Sequence, residues 1–327
     1  MFVVSGCFDL NAHSFCIPTM MWCQPHTRSY DGSTMKNLWL SQLLLLLLPS
    51  CLLAQAANQE SKPLYASDLN STVAGSKTTY LELIRRIIPD LQIDSNDADV
   101  AIGHKTIPFK HLSENKKPSP LEGDIKLDSF QPYWIKSDGR RVLLLELSVS
   151  AEDANQGMNY QGEADIVAAF SIQPAIKLLD AMDVKTDRFS GFYEKPPVFQ
   201  LTTQTDAFLV VSTHSNAGES YSDLNVLFLN HDRIETITNI FLFDTQGCGA
   251  TFTETPSFRV MPGSSKYPNI MVTVKVKKDA DSQDCDRPTR GYVKVYQALY
   301  QWNSAKREYR TSSKQLAALD KFNGKRL

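Results

Sequence analysis

A chain of 327 residues is long enough for two average domains, or for one large all-β domain with an appendage, and either can bury a substantial core. Its 34 basic and 36 acidic residues nearly cancel, so no whole-molecule field draws it onto phosphate backbones or anionic lipid, and nucleic acid is not an expected partner. With 42% hydrophobic and 10% aromatic residues the composition is not that of a disordered chain.

Residues 1–34 hold Cys7, Cys16 and Cys23 and show neither a hydrophobic period nor a linker composition. They read as an over-extended start, with Met35 the true initiator, or as a leader. From Met35 the chain reads Met-Lys-Asn-Leu-Trp-Leu-Ser-Gln, then six leucines (Leu43 to Leu48), then small residues at Ala54-Gln55-Ala56. A basic start, a short apolar run broken by Pro49 and a small-residue exit form a signal peptide over 35–56, because a spanning helix needs about 20 apolar residues. The expected location is therefore the periplasm or the extracellular space. Leu48-Pro49-Ser50-Cys51 resembles a bacterial lipoprotein box, which implies a lipid anchor at Cys51 and the outer membrane as the alternative location; Pro49 departs from that pattern. No transmembrane span is expected in the mature chain.

The polar stretch 57–77 has no period and is expected to be a flexible tail. Over 78–123 a small helical and mixed segment follows. In it, Tyr80, Leu81, Leu83, Ile84, Ile87 and Ile88 take helical spacing before Pro89, Asp99 to Phe109 offers a strand pair, and Ser113 to Gly123 reads as a linker. Residues 124–327 read as strands. Arg141 to Ser150, Ala164 to Ile172 and Ala175 to Val184 form one group of three. Ala207 to Thr213, Leu224 to Leu229 and Arg233 to Phe243 form a second; Asn269 to Lys277, Tyr292 to Trp302 and Lys306 to Thr311 form a third.

The leading strands of these groups begin at Val142, Phe208 and Ile270, a little over sixty residues apart. Tight turns fall at Gln173-Pro174, Asn230-His231-Asp232 and Asn303-Ser304-Ala305. Preceding strands near Gln131 to Ile135, Val198 to Thr202 and Ser257 to Val260 would make each group four-stranded. The expected fold is mainly β: three degenerate antiparallel meander units, propeller-like or sandwich, with a short N-terminal helix and a C-terminal capping helix over Ser313 to Phe322. Over roughly the last two hundred residues this meander is similar to secreted propeller-type repeats, without their diagnostic motifs.

Four of the six cysteines precede residue 57, which leaves Cys248 and Cys285. An even pair in an oxidising compartment implies a disulfide, and closing that loop stabilises a fold by about 3 to 4 kcal/mol in the chain-entropy model.

The first loops of the three units share one edge and are rich in oxygen ligands: Glu152, Asp153 and Asn155; then His214, Asn216, Glu219 and Asp223; then Asp279, Asp281, Asp284 and Asp286. Such a rim can bind Ca²⁺, a cationic ligand or a sugar, although long turns carry Asp and Asn for their own backbone needs too. Asp279 to Asp286 lacks the glycine and terminal glutamate of an EF-hand. His214 and Glu219 form a candidate acid/base pair for a secreted hydrolase. Against it, the chain has no nucleophile elbow, zinc helix or phosphate loop, and His104, His111 and His231 stand in turn or linker contexts without zinc spacing. Tyr292, Tyr296, Tyr300, Trp302 and Tyr309 alternate along the last hairpin, as a stacking ladder for carbohydrate or as sheet packing. The reading is an exported non-catalytic binding or interaction protein with a protein or carbohydrate partner and no cofactor beyond a possible calcium; the alternative is the hydrolase.

Overall fold

The computed structural model describes residues 62–112, 117–151, 162–193, 197–216, 219–245, 251–263, 266–279 and 290–325. Two units divide the chain, Met1–Gln59 and Glu60–Leu327, and all described residues belong to the second. The signal segment and all six cysteines lie outside the described residues.

Sixteen strands and two α-helices make up the described fold, which is mainly β and almost wholly antiparallel. The first sheet holds seven strands: β1 (Gln92–Ile93), β2 (Ala101–Lys105), β3 (Lys110–His111), β4 (Glu122–Ser137), β5 (Arg140–Ala151), β6 (Glu163–Ser171) and β7 (Lys177–Asp183). Their order is β1-β2-β4-β5-β6-β7-β3, and only β3 runs parallel to its neighbour. The second sheet holds β8 (Phe189–Phe192), β9 (Val198–Thr202), β10 (Thr205–Asn216), β11 (Glu219–Asn230), β12 (Arg233–Thr245), β13 (Phe252–Met261), β14 (Asn269–Lys278), β15 (Tyr292–Asn303) and β16 (Glu308–Arg310). They lie in sequence order from β16 back to β10, with β8 and β9 sharing the far edge of β10. Both sheets are open paths among the described residues.

Layering explains the sequence pattern. Leu143, Leu145, Leu147 and Val149 of β5 pack with Ile166, Ala168 and Phe170 of β6 against Leu83, Ile84, Ile87, Ile88 and Leu91. The alternate residues Val142, Leu144, Val167 and Ala169 face Phe208, Val210, Leu227 and Leu229 of the second sheet. Strands buried on both faces read as unbroken apolar runs, as Val142 to Leu145 does. The remaining face of the second sheet gathers Leu209, Leu224, Val226, Phe228, Val272, Val274 and Val276 under Leu316 and Leu319 of α2 (Gln315–Asn323), the expected capping helix. Each such side chain taken from water is worth about 1.5–3 kcal/mol.

Two hairpins close with two-residue loops in which both residues have positive φ: Asp138 (48°) and Gly139 (75°) between β4 and β5, His231 (50°) and Asp232 (62°) between β11 and β12. This geometry matches the strand twist and suits Asp, Asn and Gly. The two loops meet, since Arg140 pairs with Asp232, and the Gly139 amide donates to the Gln204 carbonyl in the turn between β9 and β10 at 2.9 Å.

Two expectations change. Residues 62–77 are not a flexible tail: Leu64 bridges to Phe130, Ala66–Asp68 forms a turn of 3₁₀ helix, and Leu69 and Val73 are buried in the first core. The N-terminal helix is shorter than the apolar spacing suggested. As α1 it spans Tyr80–Ile84, capped reciprocally by Thr79 and Glu82, and gives way to turns as Pro89 disfavours helical backbone at Ile88. Ile87 and Ile88 are buried nonetheless, packed so closely on Gly103 that a Cβ there would lie 2.3 Å from Ile88 Cγ2. In the second sheet, β12 and β13 pair only at Thr245 and Phe252 among the described residues, which leaves a seam.

Candidate functional site

The densest polar chemistry lies where the chain leaves β7 and crosses to β8. In the first sheet, the Lys185 ammonium sits 2.9 Å from Asp165 Oδ2 and 3.0 Å from Glu163 Oε2, with both Lys185 and Asp165 buried. Asp183 ties the crossing together: Oδ1 accepts from the amides of Asp165 and Lys185, and Oδ2 lies 2.8 Å from Nδ1 of the buried His111 on β3. Glu146 lies on the same face of β5 as Ser148, which pairs with Asp165. Burial, with the Asp165 charge, pushes the Glu146 carboxyl up to about 8, against a smaller pull from the Phe192 amide and Lys185. Burial also raises Asp165 despite its ion pair, and it works against the Lys185 ammonium, which Asp165 and Glu163 nevertheless hold above the usual lysine range.

The second half of the cluster lies on β10 and β11. Burial works against the Asp187 carboxylate, but bonds from His214, the Arg188 amide and Tyr221 outweigh it and hold Asp187 below its ordinary value. His214 Nδ1 is 2.9 Å from Asp187 Oδ1, and the imidazole stacks on the Tyr221 ring at 4.8 Å and 5°. Asp223 accepts the Thr186 hydroxyl at 3.1 Å, and burial raises its pKa, aided by the Asp187 charge. The Ser190 and Ser212 hydroxyls, 2.6 Å apart, complete the link.

Chemically, this is a network of paired groups around one carboxyl pushed up to about 8, in which the buried Oδ1 of Asp165 is left without a hydrogen-bond partner among the described residues. Its members bond inward and across the crossing, so it fixes how β7 hands over to β8.

The rim residues stand as follows. Asp223 is half-buried in β11 and Asp279 follows β14, paired with Lys277 at 2.7 Å; the two are three strands apart and the sheet does not bring them together. Glu152, Asp153, Asn155, Asp281, Asp284, Asp286 and both mature cysteines lie outside the described residues. Asn216 and Glu219 pair through their backbones, and their side chains lie outside the described part. His214 sits opposite Tyr221 rather than Glu219, so the carboxylate that orients its ring is Asp187. His111 is not an isolated linker residue, because its partner Asp183 is 72 positions away in sequence.

Glu146, Asp165, Lys185 and Asp187 escaped the sequence reading. The available signal was the charge itself: Glu146 and Asp165 interrupt strands apolar on both faces, where an ionisable group has nowhere to go but inside. The aromatic ladder is packing for the most part. Tyr296, Tyr300 and Tyr309 are buried, burial raises the Tyr309 phenol, and Trp302 lies edge-on to Tyr267 at 4.8 Å; only Tyr292 is exposed.

Among the described residues no group of three or more His, Cys, Asp and Glu side chains is placed to hold a metal ion, and no helix is long and apolar enough to cross a membrane. A shallow depression of about 260 Å³ lies on the outer face of β13 to β15, lined by Ser257, Phe258, Arg259, Met271, Thr273 and Gln297. No protein-family model, curated protein or solved structure matches the chain.

Proposed function

We propose that this chain is an exported, non-catalytic interaction protein of the cell envelope or extracellular space, built from three four-stranded meander units behind the signal at Met35 to Ala56. The observation that carries this reading is where the polar chemistry goes. Lys185, His111 and His214 each pair with a carboxylate at the β7–β8 crossing, Asp165, Asp183 and Asp187 in turn, whereas the outward face of β13 to β15 presents a broad sheet surface with Val293 and Val295 exposed. A surface of that kind suits contact with a partner rather than turnover.

The grouping β4 to β7, β9 to β12 and β13 to β16 supports the repeat, and the single pair joining β12 to β13 supports a unit boundary there. Thr245 and Lys278, from which the chain runs to Cys248 and Cys285, both pair with Phe252. The two exits are therefore one strand apart, which favours a Cys248–Cys285 disulfide. Thermal melting of the processed protein against Ca²⁺, a glycan panel and peptides tests the reading. An upward shift with a ligand and no turnover of chromogenic ester, glycoside or peptide substrates supports it. Turnover lost on His214→Ala would replace it with the hydrolase.

A further inference from the structure

The free edge of β15 has a geometry of its own. β14 pairs with β15 along Tyr292–Tyr300, whereas β16 covers the opposite side only at Gln301–Asn303. Just before that, the Gln297 amide donates to Gln315 Oε1 at 2.6 Å and its carbonyl accepts the Ser313 hydroxyl at 2.9 Å. The main-chain groups of Gln297 thus point away from β14, and the strand period of two turns those of Val293 and Val295 the same way. Among the described residues no strand pairs with them. The side chains are equally open: Val293 is 56% and Val295 50% exposed. Between them, exposed Lys294 occupies the other face, its ammonium 4.5 Å from the centre of the Tyr296 ring.

We infer that this edge accepts one extended strand from a partner protein, and that the strand alternates aliphatic and acidic residues. A strand added beside β15 pairs its main chain with the amides and carbonyls of Val293 and Val295, which supplies affinity, and alternate side chains supply specificity. Aliphatic residues then lie beside Val293 and Val295 on one face, and carboxylates beside Lys294 on the other. Ser313 and Gln315 stop the pairing at Gln297, which fixes the register. A second copy of this chain fits less well. The open stretch Tyr292–Tyr296 is centred on Lys294, so symmetric antiparallel pairing sets Lys294 against its own copy, and like charges directly opposite disfavour a strand pair.

This inference rests on the interaction reading and names its surface. The processed full chain is titrated into a fluorescein-labelled nonapeptide that alternates valine with glutamate, followed by anisotropy, with a valine–lysine peptide as the counterpart. Saturable binding of the glutamate peptide is expected. Val295→Pro, which deletes an outward amide and leaves the β14 ladder intact, should weaken it about tenfold. Lys294→Glu should weaken it roughly two- to fivefold and favour the lysine peptide instead. Circular dichroism melts establish that each variant is folded, and Lys294→Glu carries the test if Val295→Pro is not. Absence of saturable binding, or binding unchanged in both variants, overturns the edge. So does a wild-type dimer in sedimentation that Val295→Pro converts to monomer, since the occupant is then a second copy. If the peptides fail while a glycan or Ca²⁺ raises the melting temperature, the edge is wrong and the interaction reading stands.

Discussion

Glu146 is the residue at which environment most changes chemistry. Its folded-state pKa of about 8 lies above the ordinary 4.5, so between those values the unfolded chain releases a proton that the folded chain keeps. The stability contributed by this group is complete below about pH 4.5 and is lost as pH rises through about 8. Denaturant unfolding at pH 5, 7 and 9 should show wild-type stability falling by roughly 2–4 kcal/mol from this group, with the fall largely absent in Glu146→Gln. An identical pH profile in the variant would mean that the carboxyl is ionised in the fold. Lys185 gives a second case. Lys185→Met strands Asp165 without its counter-ion and should cost about 3–5 kcal/mol, whereas Asp165→Asn with Lys185→Met should recover much of that loss. A double-variant cost equal to the sum of the Lys185→Met and Asp165→Asn costs in urea melts would show that the pair is not coupled. Glu146 and Asp165 were visible in the sequence as interruptions of apolar strands. What they bond to was not, because Lys185 and Asp165 are brought together by the crossing between sheets rather than by any local spacing.

At the scale of elements, the long strands were largely legible because they are either buried on both faces, as β5 and β6 are, or alternate, as β14 does. Val142 to Leu147 has no other place than a strand between two layers, and Asn230-His231-Asp232 announces its hairpin through turn chemistry. Two elements were hidden. β8, four residues with no alternation, exists because β10 offers it an edge, and the packing of 62–77 comes from Leu69 and Val73 meeting a core assembled much later in the chain. The seam between β12 and β13 was not readable either, since it is held by side chains from three distant segments. Asn323 on α2 donates to the Phe241 carbonyl at 3.1 Å and to Glu254 Oε2 at 2.9 Å, and Glu254 also accepts the Phe243 amide at 3.1 Å. Asn323→Ala should therefore destabilise by about 1–3 kcal/mol and speed hydrogen exchange at Phe243. Unchanged exchange there would show that the seam holds without the helix.

For the whole molecule, the compartment we propose is an oxidising one: a short apolar segment with a small-residue exit, followed by just two cysteines, is what a chain exported to such a space would carry. Reducing the processed protein should lower its stability by about 3–4 kcal/mol, and Cys248→Ser with Cys285→Ser should be insensitive to reductant. Free thiols in the unreduced protein would remove that bridge. The export claim itself is tested most directly by expressing the full chain, separating cytosolic from extracytoplasmic fractions and measuring the intact mass of the product. The account predicts an extracytoplasmic species beginning at Ala57, or at a lipid-modified Cys51. An unprocessed chain confined to the cytosol would contradict it.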